Sequence, residues 1–214
     1  MKNNACFIAT ILDRSGSMDF CKNETIEGFN SFLNDQRKIP GEAVISLYQF
    51  DDIYETVYEW QDIKNAPYLD DKTFVPRGWT ALLDAMGKTI NSVGERLSKM
   101  KEEDRPGKII VCILSDGHEN RSTEFNKKQI FDMVKHQQEK YNWVFVFLGA
   151  NMDAIQVAGD IGIAAASAMS YSTTNTTKVY KMASDKVAMF RAAVGSSNVS
   201  FSDKEREDAM KDND

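Results

Sequence analysis

The run Phe7-Ile8-Ala9-Thr10-Ile11-Leu12 is short, apolar and partly β-branched, and it stops abruptly at Asp13-Arg14-Ser15-Gly16-Ser17. A run with no polar alternation reads as a strand covered on both faces, which places it centrally in a parallel sheet. Lys108 to Leu114 and Trp143 to Leu148 repeat the pattern. Between these strands the apolar residues recur at helical spacing. Asn23 to Lys38 carries Ile26, Phe29, Phe32 and Leu33. Ala81 to Met100 carries Leu82, Leu83, Met86, Ile90, Val93 and Leu97. Asn126 to Tyr141 carries Ile130, Met133 and Val134. Strands alternating with helices give an α/β fold of three layers with helices on both faces of the sheet.

The remaining segments fit this frame. Val44 to Phe50 and Ile53 to Trp60, joined by Asp51-Asp52, read as a hairpin, so one edge strand is antiparallel. Gln61 to Val75 reads as polar and irregular. Asp153 to Gly159 reads as a short helix, Ala168 to Tyr171 as a last edge strand and Thr174 to Val194 as the closing helix. No repeat or internal boundary appears, so residues 1–199 are expected to form one domain. Residues 200–214 are a charged tail, either mobile or a solvated helical extension.

The chain of 214 residues is 42% hydrophobic and 27% charged, an ordinary globular balance with room for a sizeable core. A formal net charge of -6 disfavours non-specific binding to nucleic acid or to an anionic membrane. No leader with an apolar core and no run of transmembrane length is found. Cys6, Cys21 and Cys112 show no Cys-x-x-Cys spacing, and Cys6 and Cys112 fall inside strands as small hydrophobes. A reducing cytoplasm is the expected location.

Chemistry is concentrated where the first strand ends. In open α/β sheets ligands bind outside the carboxyl ends of the strands. Asp13, Ser15 and Ser17 offer one carboxylate and two hydroxyls there, and Gly16 lets the loop turn tightly. These are hard oxygens, suited to magnesium, manganese or calcium rather than zinc or copper.

The order Asp-x-Ser-x-Ser closely resembles the metal-ion-dependent adhesion site (MIDAS) of von Willebrand factor type A (VWA) domains. The resemblance spans Phe7 to about Val194, and it implies a doubly wound, Rossmann-like sheet. The family's motif has two further parts on later loops. Thr80, in Arg77-Gly78-Trp79-Thr80-Ala81, and Asp116, in Leu114-Ser115-Asp116-Gly117, stand in the matching contexts. Right-handed crossovers would bring the Asp13, Thr80 and Asp116 loops to one edge of the sheet. Two carboxylates match the charge of one divalent cation, and Ser15, Ser17 and Thr80 add neutral oxygens. With no third protein carboxylate the ion would keep outside positions, where the family accepts an Asp or Glu from a partner.

The resemblance therefore implies a metal-dependent protein-binding module and not an enzyme, of a stand-alone type that occurs in bacteria and phages. The alternative is a regulatory or assembly subunit of a larger complex, ATPase-associated or related to stress or phage defence, with the activity in the partner. Trp79 reads equally as an aromatic anchor for a partner or as a brace folded inward. His118 reads as a surface loop residue or as part of the metal rim. The tail's carboxylates raise self-association as a further expectation, with one tail acting as a placeholder on the metal. Gly87-Lys88-Thr89 is not a phosphate-binding loop, because it lies mid-helix and its first glycine would fall at Leu82. Lys88 reads instead as part of a solvated helix face.

Overall fold

The computed structural model describes residues 1–193, 195 and 198–211, without the side chain of Asn3. Val194, the expected end of the closing helix, and residues 212–214 of the tail lie outside the described residues. In chain order the elements are β1 (Lys2–Asp13), α1 (Lys22–Lys38), β2 (Glu42–Phe50), β3 (Tyr54–Asp62), α2 (Leu82–Lys99) and β4 (Pro106–Ser115). They continue with α3 (Lys127–Tyr141), β5 (Val144–Ala150), α4 (Ala154–Asp160), β6 (Ala168–Tyr171), α5 (Thr176–Ala192) and α6 (Asp203–Met210). Boundaries follow local chemistry. Asn126 starts α3 with a capping box to Gln129, and Asn142 ends it in the left-handed region at φ 54°.

The strands form one sheet in the order β3-β2-β1-β4-β5-β6, and only β3 runs antiparallel. Strand β1 is central, as its unbroken apolar run requires. Its side chains alternate between two cores: Cys6, Ile8 and Leu12 pack with α1 and α5, while Phe7, Ala9 and Ile11 pack with α2, α3 and α4. After β1 the chain moves outward to β2 and β3, then returns to place β4 on the other side of β1. The strand order therefore reverses between β1 and β4, the place where such sheets open a ligand crevice. No helix among the described residues is long and apolar enough to cross a membrane.

Two segments depart from the sequence expectation. Residues 63–74 are irregular but not peripheral, because Ile63, Ala66, Leu69 and Phe74 are all buried in the α1 side of the core. Their spacing matches no periodicity, and their backbone is held by side chains instead. Arg37 donates to the carbonyls of Ile63 (3.1 Å) and Ala66 (2.6 Å), and Asn30 exchanges two bonds with Leu69 (2.9 and 2.8 Å).

The C-terminal segment is a docked helix. Ser202 opens α6 with a capping box to Glu205, and Val199, Phe201 and Ala209 are buried in the core under α1 and α5. Phe201 N–H bonds the Ala166 carbonyl at 2.9 Å, Ser167 Oγ bonds the Val199 carbonyl at 2.6 Å, and Arg206 donates to the carbonyls of Ala165 and Ala168. Two of the carboxylates considered for a placeholder are engaged locally, Glu205 with Lys186 at 2.9 Å and Asp208 with Lys211 at 2.8 Å.

Replacing Phe201 with Ala should remove a buried ring beside β6 and lower unfolding stability by about 3 kcal/mol. Urea denaturation of the variant checks this through a lower midpoint at unchanged slope. A midpoint equal to that of the parent chain would mean that residues 199–210 do not belong to the cooperative fold.

Candidate metal centre

The edge where β1 and β4 end carries a continuous chain of polar contacts. Asp13 closes β1 and is fully buried. One carboxylate oxygen accepts the Ser15 N–H at 2.7 Å, and the other accepts the Ser115 hydroxyl at 2.5 Å. Ser115 is the last residue of β4, and the parallel register Leu12↔Leu114 sets it beside Asp13. The Ser15 and Ser17 hydroxyls lie 3.2 Å apart, and Ser17 Oγ donates to Asp116 Oδ1 at 2.7 Å. Asp13, Ser15, Ser17 and Asp116 thus form one cluster, although Ser17 and Asp116 are far apart in sequence.

Thr80 joins this cluster through Gly117. A side chain at Gly117 would place its Cβ 2.7 Å from Thr80 Oγ1, so the absence of one lets the threonine hydroxyl lie against the backbone next to Asp116. The Thr80 loop is held from both sides. Thr80 N–H bonds Asn120 Oδ1 at 2.9 Å, and Asn120 N–H returns to the Thr80 carbonyl at 3.0 Å. Glu119 and Ser122 accept the N–H groups of Leu83 (2.9 Å) and Asp84 (3.0 Å), satisfying donors that the first turn of α2 leaves free. Asp84 reciprocates by accepting the N–H groups of Thr123, Glu124 and Phe125.

On the other side stands an ion-pair network. Arg14 points away from Asp13 and donates to Asp51 at 3.1 Å and to Glu55 at 2.7 Å. Arg77 meets the same two acids at 2.8 and 2.9 Å. Asp51 is fully buried and also accepts the Ile53 N–H at 2.6 Å. Backbone bonds run alongside, from Arg77 N–H to the Arg14 carbonyl (2.8 Å), from Gly16 N–H to the Gly78 carbonyl (3.2 Å) and from Ala81 N–H to the Asp51 carbonyl (3.0 Å). Gly78 sits at φ 68°, where Asp52 Oδ1 leaves no room for a Cβ. Two arginines and two carboxylates thus fix the Thr80 loop against the Asp13 loop.

Asp51, Arg14, Arg77, Ser115 and Asn120 did not stand out in the sequence. Asp51 reads only as part of the Asp51-Asp52 hairpin turn, and no metal-site motif singles out Asn120. Trp79 is 63% exposed, so it is not an inward brace. His118 is exposed and makes no side-chain hydrogen bond or ion pair among the described residues. Lys88 is half-buried and pairs with Glu124 at 2.7 Å, so its helix face is not simply solvated.

Burial pushes the Asp13 carboxyl up to about 7, opposed by the Ser115 and Ser15 hydrogen bonds and reinforced by the Asp116 charge. Burial also raises Asp116, opposed by the Ser17 hydroxyl. The donor set is two carboxylates and neutral hydroxyls, all oxygen, and it fits a hard divalent cation. Asp13, Ser15, Ser17, Thr80 and Asp116 are the residues that would hold it. Among the described residues no group of three or more His, Cys, Asp or Glu is placed to hold a metal ion, so the carboxylates here are Asp13 and Asp116.

No protein-family model and no curated protein sequence matches the chain. Solved structures do match it in fold. The vWF domain of a type V pili tip protein from Porphyromonas gingivalis superposes with TM-score 0.64 at 8% identity, covering 90% of this chain and 98% of that one. A von Willebrand factor type A protein from Catenulispora acidiphila gives 0.57 at 12% identity, over 85% of this chain and 42% of that one. Proximal thread matrix protein 1 from the mussel byssus, with a zinc-occupied MIDAS motif, gives 0.55 at 16% identity, over 86% and 47%. The chain spans under half the length of these last two proteins. It has the von Willebrand factor type A fold.

A carboxyl whose pKa is raised by folding binds its proton more tightly in the native state. On Asp13's account, stability without a cation is greatest below the unfolded value near ~4 and declines as pH climbs towards 7. A cation requires the carboxylate, so its affinity should change in the opposite sense. Apparent manganese affinity should rise up to about tenfold per pH unit below 7 and level off above it. Titration calorimetry in buffers of different ionisation enthalpy should register a released proton at pH 6. An affinity that is flat from pH 5.5 to 7 would exclude Asp13 as the site of proton competition.

Proposed function

We propose that this chain is a divalent-cation-dependent protein-binding module that acts by recognition rather than catalysis. The observation that supports it most directly is the Asp13–Ser15–Ser17–Asp116 cluster. It gathers two carboxylates and two hydroxyls at the ligand-binding edge of the sheet, with Thr80 alongside through Gly117. When bound there, the cation supplies an electrophilic centre with coordination positions left for an outside oxygen. The protein's part is to fix the donors. Asp13 and Asp116 balance the ion's charge, so a partner's Asp or Glu can bind without facing a surplus of negative charge. Ser15, Ser17 and Thr80 would supply neutral hydroxyl oxygens to the ion, and the Arg14–Asp51–Arg77 network holds the Thr80 loop against the Asp13 loop.

The choice of ion follows from hard-oxygen chemistry in favour of magnesium or manganese. Zinc belongs in the test as well, because the mussel byssus protein carries a zinc-occupied MIDAS motif. The solved structures of this fold include a pilus tip protein and a byssus matrix protein, which is in keeping with a role in protein contact.

Chelator-treated protein should melt at higher temperature after addition of magnesium or manganese. The gain should approach about 2.7 kcal/mol when the ion is at a hundred times its dissociation constant. Asp116→Ala should fold and lose the response. Thermal denaturation with magnesium, manganese, calcium and zinc decides the matter, and a melting curve indifferent to all four ions would refute the proposed centre.

A further inference from the structure

The turn that carries Ser17 also dictates what stands beside the site. Residues Gly16–Cys21 form a 3-10 helix, in which side chains three apart eclipse one another. Met18 and Cys21 take the inward face, each 1% exposed. Ser17 and Phe20 therefore share the outward face. Ser17 is the hydroxyl between Ser15 and Asp116, and Phe20 is 91% exposed. The buried pair anchors the turn, so the Phe20 ring cannot fold inward without expelling Met18 or Cys21.

A second exposed aromatic stands on the adjoining Thr80 loop. Trp79 immediately precedes Thr80, and its N–H is tied to Asp52 Oδ1 at 3.3 Å. The Gly16–Gly78 backbone bond runs this loop along the start of the Phe20 turn. Among the described residues neither ring stacks on another ring or on a cation. Large apolar groups beside a polar centre mark an interaction surface. An exposed aspartate also lies close to each aromatic residue: Asp19 is the chain neighbour of Phe20, and Asp52 accepts the Trp79 backbone N–H.

We infer that the site is built for a protein segment in which a single Asp or Glu stands between apolar side chains. This rests on the metal-dependent reading given above. The carboxylate goes to the Asp13–Asp116 centre, and the flanking apolar groups cover Phe20 and Trp79. Asp19 and Asp52 repel neighbouring acids, so a run of carboxylates is a poor ligand even though one carboxylate is required.

The test titrates the whole chain, loaded with manganese, with three synthetic peptides. In one Gly-Ser frame they carry Leu-Asp-Leu, Gly-Asp-Gly or Glu-Asp-Glu at the centre. The signals are tryptophan emission and peptide NMR line broadening. Leu-Asp-Leu should bind about tenfold more tightly than Gly-Asp-Gly, with Glu-Asp-Glu the weakest at low salt. Phe20→Ser and Trp79→Ser should each lose most of that preference while keeping the manganese-dependent melting shift of the parent chain. Equal affinity for the three peptides, or a preference unchanged in both variants, overturns the inference and leaves the metal centre standing if the melting shift persists. Binding of Leu-Asp-Leu that survives chelator overturns it by removing the carboxylate from recognition. A parent chain with no manganese response overturns the inference and the metal-dependent reading together.

Discussion

Asp13 ends a strand that is covered on both faces, and a carboxylate in that position is costly to ionise. Burial holds its pKa near 7, so at neutral pH the group is poised between a proton and a cation. The surroundings are arranged around this tension. The Ser15 N–H and the Ser115 hydroxyl support the carboxylate directly, and Ser17 and Asp116 extend the same hydrogen-bonded chain. On the proposed reading, a cation here would set the fold's preference for a neutral interior against the need for charge at the site. The next residue turns the opposite way. Arg14 reaches the buried Asp51, and through Asp51 and Glu55 it meets Arg77. One short loop therefore serves two constructions, with the donors on the β4 side and the clamp for the Thr80 loop on the β2 side.

The parts of this arrangement that follow from local periodicity could be read in the sequence. Strand β1 announces itself because both of its faces are buried, and α2 because Leu82, Met86, Ile90, Val93 and Leu97 repeat at helical spacing. The donors were readable for a related reason: Asp13, Ser15 and Ser17 sit within one turn of a strand end, and Asp116 directly follows another. The clamp was not readable. Its members are separated by 37 and 26 residues, and Asp51 alone reads only as part of a hairpin turn. Ile63, Ala66, Leu69 and Phe74 were missed because irregular backbone has no period to betray which residues point inward. Phe20 was missed for a similar reason, because the apolar moment that marks an amphipathic helix is absent from a single 3-10 turn.

The sheet's two edges are closed by different means, and this bears on where a partner can approach. Strand β3 shows Glu55 and Glu59 along an exposed edge, and its pairing with β2 shifts register twice, so it is a poor template for another strand. Strand β6 is short, and the C-terminal segment returns beside it: Arg206 donates to the Ala168 carbonyl at its start, and Ser172 N–H, just past its end, donates to the Ala209 carbonyl. The acidic composition of that last segment hid this role, because its apolar contribution is confined to a few positions such as Phe201 and Ala209, while Asp203, Lys204 and Glu207 stay exposed. On the proposed reading, recognition takes place at the carboxyl end of the sheet, where loops carry the exposed aromatic residues and a rigid scaffold carries the loops. Those loops are cross-braced by the Arg14–Asp51–Arg77 network and by the Thr80–Asn120 exchange. On the proposed reading, this bracing would fix the loops before a ligand arrives and leave less ordering entropy to oppose binding.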